Sequence, residues 1–194
     1  MANTFAPFGF AETSKLGGAV NYQMMTRKIA SGNSSPIFFG DPVVSLNTGY
    51  IAQATAGTTQ IAGIFAGCSY MSTARKTLVT SWYWPGSDAA SDPECKVIVD
   101  PQAVFLAQGN GICTLAKVGG NMQFAIGTGN TATGISGAYL DITGTSDLTT
   151  TTLPFRVVAL YDQPAGANGT DTTSAYNYAY VAFNWQDFRS TTGI

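Results

Sequence analysis

The run from Ser35 to Tyr70 leaves the chain few folds to adopt. Pro36-Ile37-Phe38-Phe39 and Val43-Val44 flank a Gly40-Asp41-Pro42 turn. Proline fixes its own φ, donates no N–H and holds the preceding Asp41 extended, so no helix crosses this point. Gly49-Tyr50-Ile51 then leads into Ile61-Ala62-Gly63-Ile64-Phe65-Ala66-Gly67-Cys68-Ser69-Tyr70. Simple alternation puts Ile61, Phe65 and Met71 on one face of this last run, and Ile64, Cys68 and Tyr70 on the other. A strand apolar on both faces belongs in the middle of a sheet that is covered on both sides. Gly63 and Gly67 then mark either a close backbone approach or a bulge.

The rest of the chain repeats this pattern in shorter pieces. Tyr22–Ile29, Leu78–Trp84, Lys96–Asp100, Val104–Gln108, Asn121–Ile126, Gly137–Ile142, Leu153–Leu160 and the run ending at Phe183 all read as strands. Gly109-Asn110-Gly111 is a hairpin-like turn signal. Twenty-two glycines and eight prolines interrupt nearly every helical window. The expected fold is all-β, an antiparallel β-sandwich or flattened barrel of about ten short strands. Residues 1–20 are expected to form an extended N-terminal arm and residues 21–194 a single domain. Phe5, Phe8 and Phe10 need burial, but Pro7, Gly9, Gly17 and Gly18 deny the arm a regular element. The arm should therefore pack across its own domain or onto a neighbour.

Charge and cysteine content narrow the function classes. Only 10% of residues are charged, against about 25% in an ordinary soluble domain. A surface so poor in charge points to coverage by other subunits. The nine Lys and Arg occur singly or in pairs, so no basic stripe exists to neutralise phosphates and nucleic acid is not an expected partner. The first residues show no basic start followed by an apolar run, and no apolar stretch approaches the ~18 residues that span a bilayer, so neither a signal peptide nor a membrane partner is expected. Cys68, Cys95 and Cys113 are too widely spaced for a disulfide framework or a metal knuckle. They read as buried small hydrophobes of a protein folded in a reducing cytoplasm.

Catalytic patterns are missing from the sequence. The chain has no histidine, which removes Ser-His-Asp and Cys-His catalysis and the usual general base near neutral pH. No glycine precedes Lys-Ser or Lys-Thr, and Gly127-x-Gly129-x-x-x-x-Gly134 misses the dinucleotide spacing. Asp41, Asp92 and Asp100 each precede a proline, where capping a turn is the ordinary role, and nothing singles out a glycosidase pair among the other acids. The expectation is a non-enzyme with no cofactor and no metal.

Two aromatic groups remain as candidate contact surfaces. Trp82-Tyr83-Trp84 would place both tryptophans on one face of a strand end, and with Phe5, Phe8 and Phe10 forms a candidate subunit or capsid interface. Tyr176, Tyr178 and Tyr180 would form a ladder on one face of the late strand, a candidate aromatic binding face. Such side chains suit protein interfaces and sugar stacking alike. Packing between layers, or beneath the phenylalanine arm, would explain them equally well.

The order of the apolar and turn motifs carries a resemblance. Gly17-Gly18…Asn21, Pro36 through Val43, Gly49-Tyr50-Ile51, Ile61 through Gly67, Trp82-Tyr83-Trp84-Pro85, Val99-Asp100-Pro101, Gly119-Gly120-Asn121 and Thr192-Gly193-Ile194 follow one another across most of the chain. The whole resembles head proteins of short-tailed bacteriophages whose capsids carry a cement, or decoration, protein. The resemblance implies a β-sandwich, often a homotrimer, that sits on the outer capsid surface of the virion and braces contacts between capsomers of the major capsid protein. It transfers no catalytic residue and no interface pattern. The alternative from another class is a carbohydrate- or receptor-binding virion module, its tyrosines and tryptophans stacking on cell-surface sugar. Removing residues 1–15 is expected to weaken capsid binding and to leave the domain folded.

Overall fold

The computed structural model describes residues 3–19, 23–145, 148–161 and 173–191. Among the described residues twelve strands run in chain order: β1 (Ala11–Lys15), β2 (Met24–Lys28), β3 (Pro42–Ser45), β4 (Ile51–Gln53), β5 (Gly63–Met71), β6 (Leu78–Ser81), β7 (Glu94–Ile98), β8 (Ala103–Gln108), β9 (Asn121–Ala125), β10 (Tyr139–Asp141), β11 (Phe155–Leu160) and β12 (Tyr178–Phe183). Among the described residues the only helical pieces are single 3₁₀ turns at Leu115–Lys117 and Asp187–Arg189. The first sheet has the order β1-β8-β12-β11-β9-β10, the second β2-β7-β5-β3-β4, with β6 added beside β5. All these pairings are antiparallel, and the two sheets pack as a sandwich.

The middle of the second sheet is buried on both faces, as its central strand demands. Its inner side contributes Ile61, Ile64 and Ile98 to the core shared with Phe105, Phe124, Phe155 and Val181 of the first sheet. Its outer side carries a second core of Ile29, Ile37, Val43, Phe65, Cys68, Trp84, Cys95 and Val97. Two loop segments cover that second core and pair at Ile37 and Trp84, whose N–H and carbonyl groups exchange hydrogen bonds of 3.0 and 2.8 Å. The molecule is thus layered as sheet, core, sheet, core and loops.

The faces of β5 differ from simple alternation. Ile61 and Ile64 share the inter-sheet core, whereas Phe65, Cys68 and Tyr70 all lie on the outer side. Ile64 therefore opposes Cys68 and Tyr70 instead of joining them. A register shift between Phe65 and Cys68 inserts a residue, and Gly67 takes φ +109° there, so the side-chain parity reverses midway. Gly63 serves the other expected purpose: a Cβ there would strike the Ile98 carbonyl and the Val97 side chain.

Two further expectations are corrected. Gly109-Asn110-Gly111 does not make a hairpin, because β8 pairs with β1 and β12 while β9 lies beyond β11. These glycines instead give room to Ile142, and the Asn110 side chain accepts from the Ile142 N–H at 2.8 Å and donates to Asp141 at 2.7 Å. The arm expected without a regular element contains β1, which pairs with β8 as an edge strand. Its five residues contain no Gly or Pro, and Phe10 just before them is buried against Phe155 with ring centroids 4.2 Å apart. Both facts favour extended pairing over a loose arm.

The Gly40-Asp41-Pro42 turn is as the sequence reads it. Gly40 sits at φ +91°, the Asp41 N–H donates to the Phe38 carbonyl at 3.0 Å, and β3 starts at Pro42. Asp41 does more than cap. Its buried carboxylate accepts from the Phe38 N–H at 2.8 Å, from Gln53 Nε2 at 2.6 Å and from the Ser136 hydroxyl, joining the turn to β4 and to the loop before β10. Burial outweighs these donors and holds the Asp41 carboxyl above the usual carboxylate range.

Candidate functional site

The aromatic residues singled out from the sequence come together in one place and separate in another. Along β12, Ala179, Val181 and Phe183 enter the inter-sheet core, so Tyr178 and Tyr180 point to the outer face of the first sheet. Tyr161, just past β11, packs edge-on to both, with centroids 6.1 and 5.7 Å away. Tyr176 departs from the ladder. It precedes the strand at φ +65°, and its ring meets Phe5 at 5.2 Å. Phe5 also contacts Tyr139 of β10 edge-on at 5.1 Å, and Phe8 lies 5.8 Å from Tyr178. The start of the chain thus meets the late tyrosines in two aromatic groups, Phe5 with Tyr139 and Tyr176, and Phe8 with Tyr178, Tyr161 and Tyr180.

A buried amide fixes this surface. Gln108, at the end of β8 and opposite Tyr178, is fully buried. Its Nε2 donates to the carbonyls of Thr4 at 2.7 Å and Tyr176 at 2.9 Å, while its Oε1 accepts from the Ala6 N–H at 2.8 Å. Asn3 adds a hydrogen bond to the Ala175 carbonyl at 3.2 Å. One glutamine therefore satisfies three backbone groups on two segments far apart in sequence. Sequence reasoning passed over Gln108; its only signal was a lone amide ending the apolar run Ala103–Ala107. Despite this anchoring, Phe5 remains 41% exposed and Tyr176 36%. Phe10 is not part of the surface, because its ring is in the core.

The tryptophan pair does not share a face. β6 ends at Ser81, the chain bends, and Trp84 drops fully into the second core. There its indole N–H donates to the Asn33 carbonyl at 3.2 Å and its ring meets Tyr70 edge-on at 5.1 Å. Tyr83 stacks on Phe38 at 5.3 Å and is partly covered. Trp82 alone stays outside, 64% exposed, with its ring edge-on to Phe39 at 5.1 Å. Trp84 is thus removed from any contact surface, and Trp82 belongs to the second sheet, not to the Phe5 and Tyr176 region.

The three cysteine thiols are not poised as nucleophiles. Burial pushes the Cys68 and Cys95 thiols up to about 12 and Cys113 to about 11. Among the described residues no cluster of three or more His, Cys, Asp or Glu could hold a metal ion. No protein-family model, curated protein or solved structure matches the chain.

Proposed function

We propose that the chain is a non-enzymatic structural protein of a tailed-bacteriophage virion. In this reading it is a cement protein that binds the outer capsid surface, associates with itself as a homotrimer and bridges subunits of the major capsid protein. The observation that carries it is the aromatic surface of Phe5, Phe8, Tyr139, Tyr176, Tyr178 and Tyr180, held by Gln108 yet open at Phe5 and Tyr176. Large, stiff aromatic side chains supply contact area at low entropic cost, and a chain with 10% charged residues has little else to cover such a surface with. The order of sequence motifs resembling short-tailed phage head proteins supports the same reading. Cement action needs no chemistry: binding only the assembled shell stabilises it by mass action, and many copies acting together multiply the effect.

The test is co-sedimentation of the purified protein with expanded, undecorated phage heads, with its solution mass measured alongside. Saturable binding by a trimer at a fixed ratio to the capsid subunit is the expected result; absence of binding overturns the reading. The surface is tested by the Phe5→Ala/Phe8→Ala double variant, expected to lower head occupancy while the domain stays folded. Deleting residues 1–15 is the wrong variant, since it would remove β1 and the core ring of Phe10.

A further inference from the structure

The second sheet leaves part of its inner face uncovered, and strand register shows what stands there. Ile98 and Ile64 are opposite one another and buried under the first sheet. Farther along, Lys28 pairs with Glu94, Glu94 with Ser69, and Ser69 with Thr80, forming one polar row across β2, β7, β5 and β6. Glu94 and Thr80 are exposed and Ser69 half-buried, so the sandwich is open at this end. The row borders a cleft of about 460 Å³ lined by Ser69, Thr80, Ser81, Glu94, Lys96 and Trp82, with Ala66 to Cys68 behind them. Its volume lies in the range of small-molecule sites.

We propose that this cleft binds a neutral oligosaccharide, with the Trp82 indole as its stacking platform. The site goes beyond the cement reading and does not depend on it. A sugar ring has an apolar face and an edge of hydroxyls, and the cleft offers both partners. Trp82 is the most exposed aromatic ring on the described surface, and it is braced: Phe39 packs edge-on against it, and a Cβ at Gly134 would lie 2.9 Å from its own Cβ. The platform is therefore set before any ligand arrives. The same lining holds an acceptor at Glu94, the Lys96 ammonium, which already donates to Thr26 at 2.6 Å and keeps further N–H groups, and hydroxyls at Ser81 and at Ser69 and Thr80, which share one hydrogen bond of 3.1 Å and keep further bonding capacity. Neighbouring strands hold this row at intervals of about 4.8 Å, close to the span of one sugar ring.

Other occupants fit less well. The cleft lining holds one carboxylate and one ammonium, so no net charge selects an anion or a cation. An apolar ligand would strip water from the polar row without replacing its hydrogen bonds. The bulge at Gly67 belongs to the same design, because it turns Cys68 to the outer core and leaves Ser69 toward the cleft.

Titration of the full-length protein with maltotriose, N,N′,N″-triacetylchitotriose and lactose, followed by tryptophan fluorescence and calorimetry, tests the site. Saturable binding of at least one saccharide at millimolar concentration is expected. Trp82→Ala should weaken it by about tenfold or more, and Glu94→Gln and Thr80→Val by several-fold. Leu115→Ala, on an exposed 3₁₀ turn outside the cleft lining, should leave it unchanged. Absence of saturable binding to all three sugars, or binding that survives Trp82→Ala, overturns the proposal. Head co-sedimentation of Trp82→Ala separates the two surfaces: the sugar site can fail with capsid binding intact, and the reverse.

Discussion

At the scale of single residues, Asp41 shows how a turn residue becomes a structural node. Its carboxylate collects donors from the turn, from Gln53 and from Ser136, while Gly9 of the N-terminal segment approaches too closely for any Cβ. Asparagine in its place would present an amide donor to a neighbour that already donates, so Asp41→Asn should cost about 1–3 kcal/mol. The cost should depend on pH. Burial raises the folded-state pKa above the unfolded value, so the folded protein holds the proton more tightly. The acid's contribution to stability is then fully present below the ordinary carboxylate range and is lost as pH rises through the folded pKa. Since asparagine does not titrate, the penalty of the substitution should be largest near pH 3 and shrink toward neutrality. Urea unfolding of both proteins across this range measures it. A penalty that is flat, or that grows toward neutral pH, would show that the donors dominate burial.

Elements were legible where the period of two was unbroken, and were lost where a backbone event reset it. The alternation of β12 put Tyr178 and Tyr180 on one face of their strand, and Ala179, Val181 and Phe183 on the other enter the inter-sheet core. The same logic misplaced Cys68 relative to Ile64 because the bulge at Gly67 shifts parity, and it paired Trp82 with Trp84 because nothing in Ser81-Trp82-Tyr83 announces the bend. The landing place of the N-terminal segment was beyond local reading, since it is set by Gln108 more than a hundred residues away. The bulge can be tested against a plain positive-φ turn. Gly67 and Gly57 sit at φ +109° and +87°, but a Cβ at Gly67 would lie 3.0 Å from the Ser81 carbonyl whereas Gly57 faces open space. Gly57→Ala should cost about 1 kcal/mol from backbone strain alone, and Gly67→Ala clearly more, up to about 3 kcal/mol. Equal costs in thermal or urea unfolding would mean that the bulge relaxes freely and does not shape the cleft.

For the whole molecule, the two cores differ in what must open to expose them. The inter-sheet core is closed by both sheets, so reaching it requires separating the sandwich. The outer core is closed on one side by loop segments around Ile37 and Trp84, which can lift while the sheets stay paired. The three cysteines report on both: Cys113 is in the first core and Cys68 and Cys95 are in the second. Thiol pKa values of about 11 to 12 make all three unreactive in place, so alkylation proceeds only through opening. In native buffer Cys68 and Cys95 should therefore be alkylated together and ahead of Cys113, with the gap closing as urea brings the molecule toward global unfolding. Peptide mass spectrometry over a labelling time course reads the order directly. Identical rates at all three sites would mean that the loop layer opens only with the sandwich, making the outer core as much a part of the cooperative fold as the inner one.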